Sequence, residues 1–248
     1  MKLALFWWIV LVGFSTEASF GFGATVITVT LASQLFPIDF ILPSVVPINL
    51  LLSAYMVARY HHAVDRRLLF RGILPAMSVG VGVGLVLMSK SSDSSLKLAF
   101  AIFVVALSVL ELKRLLAPGA SATTARPVAG PLRAAMLFGA GVIHGLFGSG
   151  GPLVVYVAGR EIEDKRAFRS TLGALWVTMG SVLLAGYAAS GLLTASTART
   201  SALLAPSVVL AVLIGERVHH AIEERSFRIG VFALLIVAGT ALAWSCLR

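Results

Sequence analysis

The chain has 248 residues, of which 58% are hydrophobic and only 12% are charged, and its formal net charge is +9. Soluble domains of ordinary composition carry about 25% charged residues, so this composition excludes a soluble enzyme and also a disordered chain. In a membrane protein, an excess of Lys and Arg is typical of loops on the cytoplasmic face beside anionic lipid, so we infer no nucleic-acid partner.

The predicted elements, in chain order, are long apolar helices separated by short clusters of charge. A helix needs about 20 apolar residues to cross about 30 Å of hydrocarbon, and most of the apolar stretches approach or exceed that length. Uninterrupted membrane helices are predicted at 41–58, 72–89, 97–113, 170–190, 200–216 and 228–247. Two further stretches, 3–34 and 133–159, are each broken by a glycine-rich segment, at 20–23 and at 147–152.

An internal repeat relates the two halves of the chain. At an offset of 127 residues Phe20-Gly21 pairs with Phe147-Gly148, and after an insertion of four residues Gly84 pairs with Gly215. We therefore predict a first membrane repeat at 1–116, a cytoplasmic linker at 117–131 and a second membrane repeat at 132–248. The repeat also argues against cleavage of the N-terminus, which otherwise resembles a signal peptide, because the first unit needs those residues.

The distribution of Lys and Arg favours one of two topologies. If each glycine break is the tip of a re-entrant hairpin, 15 of these residues lie inside and 5 outside; if each broken stretch is a single span, the division is 11 to 9. The positive-inside rule favours the hairpins. The predicted fold is an all-α polytopic membrane protein with two inverted repeats, each a glycine-broken re-entrant helical hairpin plus three transmembrane helices. The alternative is eight spans in parallel repeats.

The two glycine breaks predict a binding site for a small anion. A hairpin tip in the bilayer must face protein or a wet cavity. The helix that leaves it presents unpaired N–H groups and the positive end of its dipole. Two such tips entering from opposite faces would meet near the midplane. The predicted substrate-binding residues are Gly21, Gly23, Thr25, Asn49, Gly148, Ser149, Gly150 and Gly151. The alternative is that these glycines only allow helices to pack closely.

Two ionisable residues accompany the breaks. Glu17 and His144 each precede a Phe-Gly pair by three residues, so the repeat superimposes them. Ionisable groups inside a membrane are costly and are usually functional, and we predict that both carry a coupling proton. The alternatives are a position of Glu17 nearer the membrane interface and a hydrogen bond from His144 to a backbone carbonyl.

Other motifs point to weaker hypotheses. His61-His62-x-x-Asp65 has metal-like spacing but lies in a charged loop at a membrane edge, so we predict no metal site and no cofactor. A membrane-embedded enzyme that uses these three residues on a lipid is a competing hypothesis, and a membrane scaffold is another. Because the sequence has no Gly-Lys-Ser/Thr phosphate loop, a carrier would be a secondary one.

The paired Phe-Gly-x-Gly breaks, the basic loop after the second apolar helix and the Gly-Leu-Phe-Gly-Ser-Gly-Gly-Pro stretch at 145–152 resemble the TauE/SafE sulfite exporter family. The resemblance covers nearly the whole chain, although Phe22 and Ala24 stand where the family often has further glycines. It implies a multi-pass carrier of sulfite, sulfonates or sulfoacetate in a bacterial inner (plasma) membrane. The expected partners are a small anionic substrate and membrane lipid; a homodimer is left open, and a carboxylate is the alternative substrate.

Overall fold

The computed structural model describes residues 1–117, 128–162, 164–221 and 224–247, and over this part of the chain every regular element is helical. The α-helices are α1 Lys2–Phe20, α2 Ala24–Ala32, α3 Ile38–Tyr60, α4 Leu74–Lys90, α5 Asp93–Leu116, α6 Gly130–Phe147, α7 Gly151–Ala158, α8 Lys165–Ala189, α9 Ala195–Ala221 and α10 Glu224–Leu247. Eight of the helical segments are long and apolar enough to cross a membrane. The short helices α2 and α7 reach only about 12–14 Å. The predicted all-α polytopic membrane protein is confirmed.

Helix boundaries differ from the predicted ones mainly at the charged clusters. Helix α8 begins at Lys165, before the predicted 170, and the Asp164 side chain accepts a hydrogen bond from the Ala167 N–H as its N-cap. Hydropathy marks only the apolar part of a helix, whereas the helix itself continues into the charged flank. Residues 118–127, most of the predicted linker at 117–131, lie outside the described residues.

In each half, the glycine-rich break reverses the chain into a helical hairpin. Gly21 (φ +84°) ends α1 and its N–H donates to the Glu17 carbonyl at 2.7 Å. Gly148 (φ +62°) ends α6 in the same way, donating to the His144 carbonyl at 2.7 Å. Both turns need the left-handed conformation that glycine adopts readily. Helix α2 then packs back on α1, and α7 on α6. Helices α1 and α6 are themselves among the eight that are long and apolar enough to cross a membrane, so the re-entrant form of the hairpins stays a prediction.

The two halves interlock through matching helix pairs. Helix α1 packs on α9 and α4 packs on α6, so exchanging the halves turns one pair into the other. The pairing of Gly84 with Gly215 in the sequence reappears in these contacts. Gly84 lies against Gly145 of α6, and Gly215 lies against Ala18 of α1. The packing therefore supports an internal duplication.

Equivalent helices of the two halves run in opposite directions where they touch. Gly173 of α8 lies against Met56 of α3, and Gly180 of α8 lies against Leu50 of α3. Residue numbers therefore rise along α8 as they fall along α3, so the two helices are antiparallel. Parallel repeats would align these helices, whereas inverted repeats require them to be antiparallel. This contact supports the inverted arrangement, and the direction of the helices relative to the cytoplasm stays a prediction.

A second group of glycines serves close helix packing. Gly80 and Gly84 of α4 lie against Gly141 and Gly145 of α6, and a Cβ atom at any of the four would overlap backbone of the other helix. Small residues spaced four apart bring membrane helices together in this way. At the α4–α6 interface, the glycines therefore allow close helix packing, as the alternative interpretation predicted. This interface holds α6, the first helix of the second hairpin, against α4.

Candidate functional site

The tips of the two hairpins meet in the interior of the protein. The Thr25 hydroxyl at the start of α2 donates to the Gly148 carbonyl of the second tip at 2.7 Å. The indole N–H of Trp176, in the middle of α8, donates to the Gly21 carbonyl of the first tip at 3.0 Å. The same indole lies beside Gly151 of the second tip. Trp176 thus contacts both tips at once.

A cavity of about 280 Å³ lies between the tips. Its lining consists of Glu17, Phe22, Gly23, Thr25, Val26, Asn49, His144, Gly148, Ser149, Gly151 and Trp176. Eight of the ten predicted binding and proton-coupling residues are among them. Gly21 and Gly150 are not in the lining: they lie behind it and hold Trp176 and His144 through backbone hydrogen bonds.

Sequence reasoning missed three lining residues, Phe22, Val26 and Trp176. A signal for Trp176 was available, because tryptophan in membrane helices is enriched at the interfaces and this one lies six residues inside the predicted span 170–190. A buried indole needs an acceptor for its N–H. Only the fold shows that the acceptor is a tip carbonyl 155 residues away in sequence.

The Glu17 side chain accepts a hydrogen bond at the N-terminus of α2. Oxygen Oε2 accepts from the Ala24 N–H at 3.1 Å, and Oε1 accepts from the Asn49 side-chain amide at 2.8 Å. The side chain is buried in the protein. A carboxylate at this place stabilises the unpaired N–H groups of the first turn of a helix. The carboxyl group of Glu17 therefore already occupies the start of α2 at the first tip.

His144 occupies the equivalent place in the second hairpin and leaves a donor for the cavity. Its Nδ1 atom accepts from the Gly150 N–H at 3.4 Å, so this contact is not the predicted alternative of a bond to a carbonyl. With Nδ1 as acceptor, the hydrogen of the neutral ring is assigned to Nε2. Nε2 is buried and has no partner among the described residues. The ring is further held by stacking on Trp176, with 5.5 Å between ring centroids.

The second tip adds a hydroxyl to this donor. The Ser149 side chain is 2% exposed and its Oγ has no partner among the described residues. Ser149 stands directly before Gly150 and Gly151, where α7 begins with its unpaired N–H groups and the positive end of its dipole. Among the described residues, the cavity lining includes no Lys or Arg. Recognition of an anion here would therefore depend on hydrogen bonds and the helix dipole rather than on a fixed cation.

Arg169 lies beside the cavity wall at the first tip. Its guanidinium donates to the Ala18 carbonyl near the end of α1, and its Cγ lies 3.4 Å from where a Cβ of Gly21 would be. A cation at the C-terminal end of a helix is stabilised by the helix dipole. The equivalent place beside Gly148 is taken by Leu42. The two tips therefore differ in charge as well as in their donors.

The residues of the metal-like motif form a turn at the end of α3. His61 and His62 lie in a 3₁₀ turn with their rings 3.6 Å apart, and Asp65 accepts a hydrogen bond from the Leu68 N–H that follows. Within the described ranges no group of three or more His, Cys, Asp or Glu residues could hold a metal ion. These contacts describe a structural turn.

Comparison with known proteins gives one match. The model of the family described as "Sulfite exporter TauE/SafE" matches residues 5–242. No curated protein and no solved structure matches the chain significantly.

Proposed function

The chain belongs to the sulfite exporter TauE/SafE family, a family of membrane transporters, and from that premise we propose that it is a secondary transporter of small sulfur-containing anions. Its place is the bacterial inner membrane. The anion binds in the cavity between the two hairpin tips. The observation that carries the proposal is a pair of buried donors at the N-terminus of α7, His144 Nε2 and Ser149 Oγ, which have no partner in the described part of the chain.

The second tip is the main contact for the anion in this proposal. The N-terminus of α2 is satisfied by Glu17, so an incoming anion would have to displace that carboxylate or bind elsewhere. The N-terminus of α7 has no such internal anion, since Nδ1 of His144 only accepts from Gly150. Sulfite and sulfonate oxygens are acceptors without donors, and they suit the N–H of His144 and the hydroxyl of Ser149.

Glu17 and His144 supply the proton coupling in this proposal. An ionised Glu17 repels an anion in the shared cavity, so proton uptake by the carboxyl favours binding. A bound anion likewise favours the imidazolium of His144. Protonation of Nδ1 would replace its hydrogen bond with a contact between two N–H groups, which loosens Gly150. Proton uptake at His144 would therefore coincide with movement of the second tip.

The proposal is tested with the purified full chain, by calorimetry with sulfite and by sulfite flux in proteoliposomes. We expect Ser149→Ala to weaken binding roughly tenfold or more, because a hydrogen bond to a charged partner contributes about 1.5–3 kcal/mol. His144→Phe keeps the stacking on Trp176 but removes the N–H, and we expect a similar loss.

The matched control is Ser181→Ala. Ser181 is exposed on α8 and donates only to the Val177 carbonyl of its own helix, so sulfite binding should not change. Unchanged binding in both Ser149→Ala and His144→Phe would contradict the site. Displacement of sulfite by an equal concentration of acetate would instead favour a carboxylate carrier.

A further inference from the structure

Each hairpin has an open end, opposite its tip, where its two helices join the rest of the chain. At the open end of the second hairpin an ion pair joins these helices: Nη1 of Arg133, near the start of α6, lies 3.3 Å from Oε1 of Glu161, just after α7. The two side chains are 26% and 19% exposed. The neighbouring cation Arg160 is turned the other way, since it lies over the Tyr156 ring and donates to the Tyr156 carbonyl.

The guanidinium of Arg133 lies against a π-helical turn of the first half. This turn, Leu68–Ile73, leads into α4, and a Cβ atom at its Gly72 would overlap Nη2 of Arg133. Single π turns within helices are frequent at functional positions. With the four-residue insertion between the repeats, Gly72 is equivalent to Leu203 of the regular helix α9. The space for the guanidinium is therefore not repeated at the equivalent position of the other half.

The first hairpin closes its open end with aromatic rings. At the repeat offset of 127 residues, Arg133 is equivalent to Phe6 and Glu161 to Gln34. Phe6 is fully buried, and its ring centroid lies 5.3 Å from that of Phe36. Separating these rings would give up close packing in the core, whereas separating a partly exposed ion pair returns both charges to water at little cost.

The short helices of the two hairpins also differ in how tightly they are enclosed. Eight of the nine residues of α2 are buried, but only four of the eight residues of α7. Among the described helices, α2 packs on α1, α3, α5 and α10, whereas α7 packs mainly on α6. The second hairpin can therefore open with less loss of packing than the first.

We propose that the second hairpin is the moving gate of the carrier and that the Arg133–Glu161 pair is the latch that holds its open end closed, while the first hairpin keeps its shape. The inference rests on the proposed function, because the gate carries the anion site. His144 belongs to α6 and Ser149 to the turn before α7, so a rotation of α7 away from α6 changes the spacing of the two donors and releases the anion. Arg133 and Glu161 are positioning residues, which act on the site through α7.

The experiment locks the open end of the second hairpin covalently in the full chain. Arg133→Cys and Glu161→Cys are combined with Cys246→Ser and joined by a short bifunctional alkylating reagent, because sulfite would cleave a disulfide. Sulfite flux in proteoliposomes should fall by about tenfold or more, since turnover depends on the conformational step. Sulfite affinity measured by calorimetry should not change, because the closed hairpin keeps both donors in place.

Two controls separate the lock from damage. Each single-cysteine variant, treated with the same reagent, should keep its flux. Phe6→Cys with Phe36→Cys, crosslinked in the same Cys246→Ser chain, locks the first hairpin at the equivalent place and should also keep its flux. A merely structural role of the ion pair would lower flux and affinity together and would not depend on the crosslink.

Hydrogen exchange gives the comparison without cysteines, if a cysteine variant does not fold. Gly72→Ala displaces the guanidinium of Arg133 from Glu161 without changing either charge, and we expect backbone exchange to become faster in α7 and to stay the same in α2. Gly82→Ala is the matched control, because a Cβ atom at Gly82 meets nothing within 4 Å, and it should leave exchange in both helices unchanged.

Undiminished flux with the second hairpin crosslinked would overturn this inference and leave the proposed function intact. An equal loss of flux on crosslinking the first hairpin, or unchanged exchange of α7 in Gly72→Ala, would overturn it as well. Failure of the wild-type chain to bind or carry sulfite would remove the proposed function itself, and this inference with it.

Discussion

Glu17 and His144 occupy equivalent positions in the two repeats but make opposite contributions to the cavity. Each hydrogen-bonds a backbone N–H at the start of the short helix of its own hairpin, so each helps to hold its tip. Glu17 brings an acceptor with a negative charge when ionised, and His144 brings an N–H donor. Duplication followed by divergence at this position would give one tip an acceptor and the other a donor.

At the residue scale we predict that Glu17 sets the pH dependence of binding. Methanesulfonate keeps its single charge across pH 5.5 to 8, so a change in its affinity reports on the protein. Binding should tighten as pH falls and Glu17 takes up a proton, by at most about tenfold per pH unit for one coupled proton. Calorimetry at several pH values measures this slope.

Glu17→Gln keeps a group that accepts from Ala24 and removes the charge, so the affinity should rise and its pH dependence should fall to the part that His144 contributes. Glu111→Gln, at the far end of α5, is the matched control and should retain the wild-type slope. In His144→Gln the side chain cannot titrate, so this variant measures how much of the pH dependence comes from His144. A wild-type slope in both Glu17→Gln and His144→Gln would remove both residues from the coupling.

At the element scale, adjacent glycines of the second hairpin have different structural roles, which the sequence alone does not distinguish. A Cβ atom at Gly151 would meet Phe22 and Trp176 at ordinary contact distances of 3.6–3.8 Å, on the cavity side. A Cβ atom at Gly150 would overlap the Ala140 carbonyl of α6 and approach His144 Cβ at 3.0 Å. Gly150 therefore packs the hairpin together, and Gly151 keeps the cavity open.

We predict that Gly151→Leu folds but does not bind, because its side chain fills the space where an anion would meet the start of α7. Gly150→Leu should instead lose stability, since the two helices of the hairpin cannot close around the added atoms. Thermal unfolding of both purified variants, with methanesulfonate calorimetry on any variant that folds, measures the difference. Wild-type affinity in Gly151→Leu would show that the anion does not bind at the start of α7.

The glycine breaks could be predicted from the sequence because a left-handed turn usually requires glycine, as at Gly21 and Gly148. The repeat could be predicted because these two glycines recur at a constant offset of 127 residues. The partner of Glu17 and the two contacts of Trp176 could not, because they depend on how α2, α3 and α8 cross. The difference between Gly150 and Gly151 is likewise set by which side of the turn faces α6.

At the scale of the whole molecule, access to the cavity from both sides of the membrane requires the two halves to be inverted across it. The antiparallel contact of α3 with α8 supports this inversion. In an inverted arrangement the two hairpins enter from opposite faces, and the cavity between them can be reached from each side in turn, as in other carriers with such repeats. Parallel repeats would bring both hairpins in from one face.

The side of the membrane on which the chain ends tests this claim most directly. A reporter fused after Arg248 should report the non-cytoplasmic side, while a reporter inserted near Ala122 in the linker should report the cytoplasm. The expected result follows from three crossings plus one hairpin in each half and from the 15 to 5 division of Lys and Arg. Cytoplasmic signals from both reporters would contradict the inverted arrangement and would indicate eight spans in parallel repeats.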